Sequence, residues 1–304
     1  MSVHVPILLS PILESLLEPF RALPAGAPTH WVVDCTLGGG GHTSAFLEAF
    51  AADPHLKQHK VVAFDQDRSA IDAAARRFER EIAEGRLVVH YSRFSGAKKY
   101  FQNFPVLGLL ADLGFSSDQI EDPERGLSFQ ADGPLDMRLD PTRGVSAREY
   151  LQRVTERELE HVLREYGEER FAGRIARVIV ESRRAGTLPK TSLELARMIR
   201  DAVPPNARHG RIHAATRSFQ AIRIQVNQEL EELDSLLNDV ILGVKTGGRV
   251  AILSFHSLED RRVKQAFKVP PWRGLTKKPV EADEEEIRVN PRSRSAKLRI
   301  AQKL

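Results

Sequence analysis

Four short runs in the first third of the chain, Trp31 to Cys35, Val61 to Asp65, Leu87 to Tyr91 and Val106 to Asp112, are almost continuously apolar. Strands buried on both faces of a parallel sheet read this way, because neither face is left to polar residues. Between the second and third runs, Ile71, Ala75, Phe78 and Ile82 fall on one helical face, opened by a capping box of Ser69 and Asp72 and stopped at Gly85. Strand, helix and strand in that order predict βαβ units with right-handed crossovers and an α/β layer structure.

From Ser146 to Val203 the strand signals vanish. Capping boxes recur at Ser146/Glu149, Thr155/Glu158 and Thr191/Glu194, with apolar stripes at Leu159, Val162, Leu163 and Tyr166 and at Phe171, Ile175, Val178 and Ile179. This pattern predicts an all-helical insertion over 125–210. Phe219, Ile222, Val226, Leu230, Leu233, Leu237 and Ile241 then keep helical spacing as one long helix, and Gly243 with Gly247-Gly248 leads to a fifth buried strand at Val250 to Phe255. Ser257 and Asp260 open a further capped helix, and Ile287 to Val289 and Leu298 to Ala301 predict two short closing strands joined through Asn290-Pro291. The α/β domain is therefore expected to be discontinuous, 1–124 and 211–304, with the helical domain spliced in after the fourth strand.

The 304 residues, 41% of them apolar, allow about two domains at roughly 150 residues each. The longest purely apolar stretches, such as Val106 to Ala111, fall far short of the roughly 20 residues a membrane helix needs. The N-terminus has neither a basic region nor a long apolar core, so a soluble, cytoplasmic protein is expected. A single cysteine, Cys35, excludes an internal disulfide and a multi-thiolate metal site, and no other metal-ligand cluster is visible. The net charge of +4 is unevenly spread. Arg208, Arg211, Arg217 and Arg223 lie in an acid-free stretch from Ala202 to Gln228. The acidic run Glu281, Asp283, Glu284, Glu285 and Glu286 precedes a basic tail of Arg288, Arg292, Arg294, Lys297, Arg299 and Lys303. Such segregation fits a polyanion-binding surface or an ordinary solvated face, and both readings stay open.

The strongest chemical signal follows the first strand: Asp34-Cys35-Thr36-Leu37-Gly38-Gly39-Gly40-Gly41-His42, then a helix. Glycines in a strand-to-helix turn let backbone N–H groups approach a ligand closely. A dinucleotide fingerprint G-x-G-x-x-G fails at its last position, which is Thr43. The loop reads better as D-x-x-x-G-x-G, the adenosylmethionine-binding loop of Rossmann-like methyltransferases, which have no pyrophosphate to cradle. Asp65, ending the second strand, is placed to accept from ribose hydroxyls. Asp112 ends the fourth strand and should face the first loop across the crevice, although Ser116, Ser117 and Asp118 after it also suit a helix N-cap. For His42 and His256, each beside a cap in a turn, a local hydrogen-bonding role is favoured.

These residues carry a resemblance. The chain is similar to the bacterial 16S ribosomal RNA (cytosine-N4)-methyltransferases from His4-Val5-Pro6-Ile7-Leu8-Leu9 to its tail. The shared motifs are DCTLGGGGH (Asp34 to His42), AFDQD (Ala63 to Asp67), ADLGFSSDQ (Ala111 to Gln119), RGLSF (Arg125 to Phe129), GPLDMR (Gly133 to Arg138), YGEER (Tyr166 to Arg170), ATRSFQAIRI (Ala215 to Ile224), VNQEL (Val226 to Leu230), SFHSLEDRRVK (Ser254 to Lys264) and NPRSRSAKLRIA (Asn290 to Ala301). Leu127 and Ala214 depart from the expected Phe and Pro, and the segment from Phe267 to Glu281 is shorter than in many members.

The resemblance implies a Rossmann-like class I methyltransferase with a mostly parallel, doubly wound sheet and an inserted helical domain that helps bind RNA. Its cofactor would be S-adenosyl-L-methionine. Gly38, Gly40, Gly41 and His42 would line the cofactor site, Asp65 would hold the ribose, Phe94 and Asp112 would flank the adenine or methionine end, and Gln119 would complete the pocket. The implied substrate is the exocyclic N4 amine of a cytidine in the decoding region of 16S rRNA, free or in the small ribosomal subunit. Asp112 is the candidate catalytic group. Asp136 and Arg138 are either substrate contacts or an interdomain hinge network, and Arg208, Arg211 and Arg217 are candidate phosphate contacts. Ring-carbon methylation is disfavoured because it needs an attacking thiolate and Cys35 lies in the cofactor loop region. A nicotinamide dehydrogenase, a noncatalytic RNA-binding protein and a methyltransferase of another RNA or of DNA cytosine are the alternatives. Val5, Ile7, Leu8 and Leu9 suit packing on the core or across a homodimer.

Overall fold

The computed structural model describes residues 6–115, 117–208 and 212–304. The chain falls into two compact units, one running to Gly114 and resuming over Glu231–Leu304, the other over Phe115–Leu230.

The first unit begins with α1 (Leu9–Arg21), β1 (Trp31–Asp34), α2 (Gly41–Ala52), β2 (Lys60–Asp65), α3 (Arg68–Arg77), α4 (Glu79–Ala83), β3 (Leu87–Tyr91), a 3₁₀ segment (Phe94–Asn103) and β4 (Val106–Asp112). The second holds α5 (Ser117–Glu121), α6 (Ala147–Arg153), α7 (Glu156–Gly167), α8 (Ala172–Arg184), α9 (Ser192–Ala202) and α10 (Thr216–Asn227). After α11 (Glu229–Ser235), which spans the boundary, the first unit closes with β5 (Val244–Ser254), α12 (Ser257–Ala266), β6 (Trp272–Gly274), α13 (Glu284–Val289) and β7 (Lys297–Lys303).

Among the described residues seven strands form one sheet in the order β3-β2-β1-β4-β5-β7-β6. The strands from β3 to β5 run parallel, and β7 pairs antiparallel with both β5 and β6. Alternate residues of each strand feed opposite layers, because successive side chains of a strand point to opposite faces. Val32, Val61, Ala63, Leu110 and Leu253 pack with Leu16, Phe20, Phe46 and Phe50 of α1 and α2. Val33, Val62, Phe64, Leu109 and Ile252 pack with Phe101, Leu236, Val240 and Val263 on the other side. The apolar runs of the sequence are therefore strands covered on both faces, as expected for a parallel sheet. Ile7 and Leu8 enter the first of these layers, so this part of the N-terminal segment packs on the core; Val5 lies outside the described residues.

The helical unit has its own core of Leu135, Met137, Leu151, Leu159, Leu163, Ile175, Ile179, Leu195, Ile199, Phe219 and Ile222. The three capping boxes expected at α6, α7 and α9 are all formed, each pairing a Ser or Thr hydroxyl with the N–H three residues on and the Glu there with the cap's own N–H. Because α10 buries Phe219, Ala221 and Ile222 in this core, the unit extends beyond the 125–210 read from the sequence.

Several expected elements differ. Ile287 to Val289 is the end of a helix, not a strand, since Asp283 caps it through the Glu286 N–H at 2.8 Å and Glu284, Glu285 and Glu286 sit against the positive end of its dipole. The antiparallel partner of β7 at the sheet edge is Trp272–Gly274 instead. The long helix from Phe219 is interrupted at Gln228, whose φ of 56° ends α10 in a left-handed cap. Asp67, not Ser69, caps α3, because its extended backbone lets its carboxylate take both the N–H and the hydroxyl of Ser69. His256, not Ser257, caps α12 in a box with Glu259.

Candidate active site

Strand order reverses between β1 and β4, and ligands of open α/β sheets bind off the carboxyl ends of the strands at such a point. The loop after β1 turns there through Gly38 (φ 48°) and Gly40 (φ 75°), left-handed conformations that a side chain would strain. Gly40 is the N-cap of α2, and a Cβ on Gly41 would lie 2.6 Å from the Pro6 ring. The loop is tied on both sides: Gly38 N–H donates to Asp65 Oδ2 at 2.8 Å, and the Arg77 guanidinium donates to the Gly39 carbonyl at 2.6 Å.

Asp65 and Asp112 flank this loop from β2 and β4. The Asp65 carboxylate also takes the Asp67 N–H at 2.8 Å. Burial pushes its acid up to about 6 against those hydrogen bonds. Each of its oxygens retains a second lone pair for a ribose hydroxyl. The Asp112 side chain is 20% exposed, and its Oδ2 stands 3.8 Å from Nδ1 of the buried His42. The other imidazole nitrogen, Nε2, is 3.1 Å from the Ile7 carbonyl oxygen. A carbonyl only accepts, so Nε2 carries a proton and Nδ1 is the nitrogen turned to Asp112. Burial first, then the negative charges of Asp34 and Glu259, push Asp112 up to about 8, with Arg292 opposing.

Beneath this pair lies Asp34, 1% exposed. It accepts from the Thr43 hydroxyl at 2.7 Å and the Thr36 N–H at 3.1 Å. Burial raises its pKa, and His42 and the hydrogen bonds work against that rise. Thr36 also accepts the Asp112 N–H on its hydroxyl at 2.7 Å, which joins the ends of β1 and β4. Asp34 opens the D-x-x-x-G-x-G motif read from the sequence, whereas Thr36, Thr43, Glu259 and Arg292 were not singled out for the site. Their signal was weak, since each lies inside or beside a motif without a spacing that assigns it a role. Cys35 is buried and its thiol is pushed up, first by burial and then by Asp34, so no thiolate is available for attack on a base.

Phe94 opens the 3₁₀ segment and packs against the sheet's second apolar layer. Gln119 is buried in the helical unit. Arg138 forms a bidentate pair with Asp136, both bonds 2.7 Å, so the network of the hinge reading is present inside the helical unit. Arg208 donates to the carbonyls of Val203 and Asp201 at the end of α9, and Arg217 donates to that of Glu168 after α7. Both guanidiniums therefore complement helix C-termini. Arg211 lies outside the described residues.

An antiparallel seventh strand beside the parallel five separates this sheet from dinucleotide-binding ones, and Thr43 stands where the dinucleotide fingerprint has its third glycine. Fold and loop together are those of a Rossmann-like class I methyltransferase. The chain belongs to the MraW methylase family, whose model matches residues 1–304. It is 44% identical to the ribosomal RNA small subunit methyltransferase H of Synechococcus sp. (strain RCC307), covering 99% of this chain and 95% of that one. The protein of the same name from Trichodesmium erythraeum is 42% identical over 99% of both chains, and that from Sorangium cellulosum is 45% identical over 90% of this chain and 84% of its own. Among the described residues no helix is long and apolar enough to cross a membrane.

Proposed function

We propose that the protein transfers a methyl group from S-adenosyl-L-methionine to the exocyclic N4 amine of a cytidine in the 16S rRNA of the small ribosomal subunit. The observation that carries this reading is the glycine loop held between two strand-end carboxylates, Asp65 and Asp112, in a chain 44% identical to a named small-subunit rRNA methyltransferase. The donor set suits that cofactor. Asp65 offers oxygen acceptors for ribose hydroxyls, and Asp112 offers a carboxylate for the cationic end.

When bound, the cofactor supplies an electrophilic methyl on a sulfonium. The cytosine amine is a poor nucleophile because its lone pair delocalises into the ring, so positioning and electrostatics dominate what the protein contributes. In this reading Asp112 accepts a hydrogen bond from the amine and takes its proton as the new bond forms, with the base presented single-stranded or flipped out of its stack. Thr36 holds the Asp112 backbone N–H, and His42 faces the carboxylate. Arg208, Arg211 and Arg217 reach phosphates of the same RNA, and Asp136 with Arg138 orients the segment that meets it.

The test uses labelled S-adenosyl-L-methionine, the protein and small subunits from cells lacking the modification, followed by digestion to nucleosides and mass spectrometry. Label is expected in N4-methylcytidine. Label in another nucleoside, or none in RNA, overturns the assignment. Asp112→Asn should lower turnover by roughly 10²–10⁴, the range of a positioned general base.

A further inference from the structure

We propose that the Nε2–H of His256 donates a hydrogen bond to ring nitrogen N3 of the target cytosine, beside the amine that Asp112 receives, and so positions the base and rejects uracil. The inference rests on the cytidine reading above and adds the side chain that recognises the base edge.

His256 leaves the sheet at the same edge as Asp112, one strand away, and both belong to the first unit. Asp112 pairs in parallel register with Leu253 of β5, and the Leu113 N–H donates to the Leu253 carbonyl at 2.9 Å. Beyond the strands the two loops stay together, since a Cβ on Gly114 would lie 3.5 Å from the Phe255 ring. His256 is the next residue, at the carboxyl ends where open α/β sheets hold their ligands. Glu259, against which it packs, lies close enough to Asp112 for its charge to act there.

The cap of α12 fixes the imidazole. Nδ1 accepts the Glu259 N–H at 3.4 Å, and because a backbone N–H only donates, the ring proton sits on Nε2. The side chain is 11% exposed, and among the described residues Nε2 has no hydrogen-bond partner. Glu259 Oε1 stands 3.3 Å from it without meeting it as a hydrogen bond, while Oε2 accepts the N–H groups of Phe255 and His256 at 2.8 and 3.3 Å. A buried donor without an acceptor is costly, so few persist in folded proteins unless a ligand completes them. The local role expected for His256 is thus filled by one ring nitrogen and leaves the other for a ligand. Cytosine presents an amine beside the acceptor N3, which suits a carboxylate beside a fixed N–H. Uracil has a carbonyl and an N–H in those two places, so both contacts would set like against like.

The test pairs a change in the protein with a change of one atom in the RNA. Small subunits are rebuilt with 16S rRNA carrying cytidine or 3-deazacytidine, in which C–H replaces N3, at the position mapped by the labelling assay above. The kcat/KM of methyl transfer is then measured for the full-length protein and for His256→Asn and His256→Ser. Both replacements keep an oxygen to cap α12 and lack the reach of Nε2, so the fold is retained while the donor is removed. With the parent, 3-deazacytidine should lower kcat/KM by about tenfold or more, and each variant should lose a similar factor on cytidine. Variant and 3-deazacytidine together should cost little more than either alone, because both delete the same hydrogen bond. Losses that multiply, no loss with 3-deazacytidine in the parent, or variants as active as the parent overturn the proposal while the cytidine reading stands. Absence of N4-methylcytidine from the parent acting on the cytidine substrate overturns that reading and this proposal with it.

Discussion

Asn227, the last residue of α10, is 5% exposed and serves as a clamp on the segment Met137 to Leu139. Its Oδ1 accepts the Leu139 N–H at 2.8 Å, and its Nδ2 donates to the Met137 carbonyl at 2.8 Å. Met137 sits at φ 62° with its side chain fully buried, a conformation that tertiary bonds must hold because a left-handed residue with a Cβ is disfavoured by about 1–2 kcal/mol. Asn227→Ala leaves one buried N–H and one buried C=O without partners. Each such group costs about 1–3 kcal/mol, so a loss of about 3 kcal/mol is expected after partial relaxation. With a urea dependence of about 2 kcal/mol per M, the midpoint should fall by about 1.5 M. Trp31 and Trp272 both belong to the sheet unit, so circular dichroism at 222 nm is the signal to follow for the helical unit and tryptophan fluorescence the internal control. Asn227→Asp keeps the acceptor for Leu139 but sets a carboxylate against the Met137 carbonyl, and should lose about 2 kcal/mol or more. Helical midpoints for both variants within about 0.2 M of the parent would refute the clamp.

His59 is buried, with Nδ1 accepting the His30 N–H at 3.1 Å, and burial followed by the neighbouring His30 lowers its pKa from 6.5 to about 4. Its folded value lies below its unfolded one, so the unfolded chain binds the extra proton. Stability present above pH 6.5 should drain away as the pH falls toward 4, by up to about 3 kcal/mol, and His59→Asn should flatten that slope in urea titrations at pH 7, 6 and 5. Thr36→Val removes the acceptor for the Asp112 N–H and should reduce methyl transfer at least tenfold with Thr36→Ser close to the parent; equal rates in both variants would remove Thr36 from the site. A Cβ on Gly126 (φ 60°) would overlap the Pro134 carbonyl oxygen, so Gly126→Ala should destabilise the helical unit by about 3 kcal/mol or more, read by its denaturation midpoint. RNA affinity should fall steeply as salt rises, with a shallower slope in Arg217→Gln; identical slopes would return that arginine to its helix-capping role alone.

Much was legible where a signal is local. The four strands and the capping boxes at Ser146, Thr155 and Thr191 depend on residues within one turn or one strand, and they form where they were read, although β3, at the sheet edge, buries only Leu87 fully. The helix at Glu284–Val289 was legible too, since Asp283 with Glu286 is a cap spacing, but the β-branched Ile287 and Val289 drew the reading toward a strand. The edge strand Trp272–Gly274 was not, because three residues carry no period and the strand exists only by pairing with β7. The break at Gln228 was hidden for a related reason. Apolar spacing continues across it while the two halves bury their faces in different cores, Phe219 and Ile222 in one and Leu233 and Leu237 in the other.

The sequence by itself determined the α/β layering with its parallel strands, the glycine turn after β1 and the carboxylates that end β2 and β4, because position along a buried strand dictates what stands at its tip. Only the tertiary structure decided what surrounds Asp112. Pairing of β4 with β5 and of β5 with β7 brings the turn bearing Arg292 to the same end of the sheet, and α12 adds Glu259 there. The charge state of a carboxylate is a sum over every group around it and over the water it has lost, and those groups come from segments far apart in the chain.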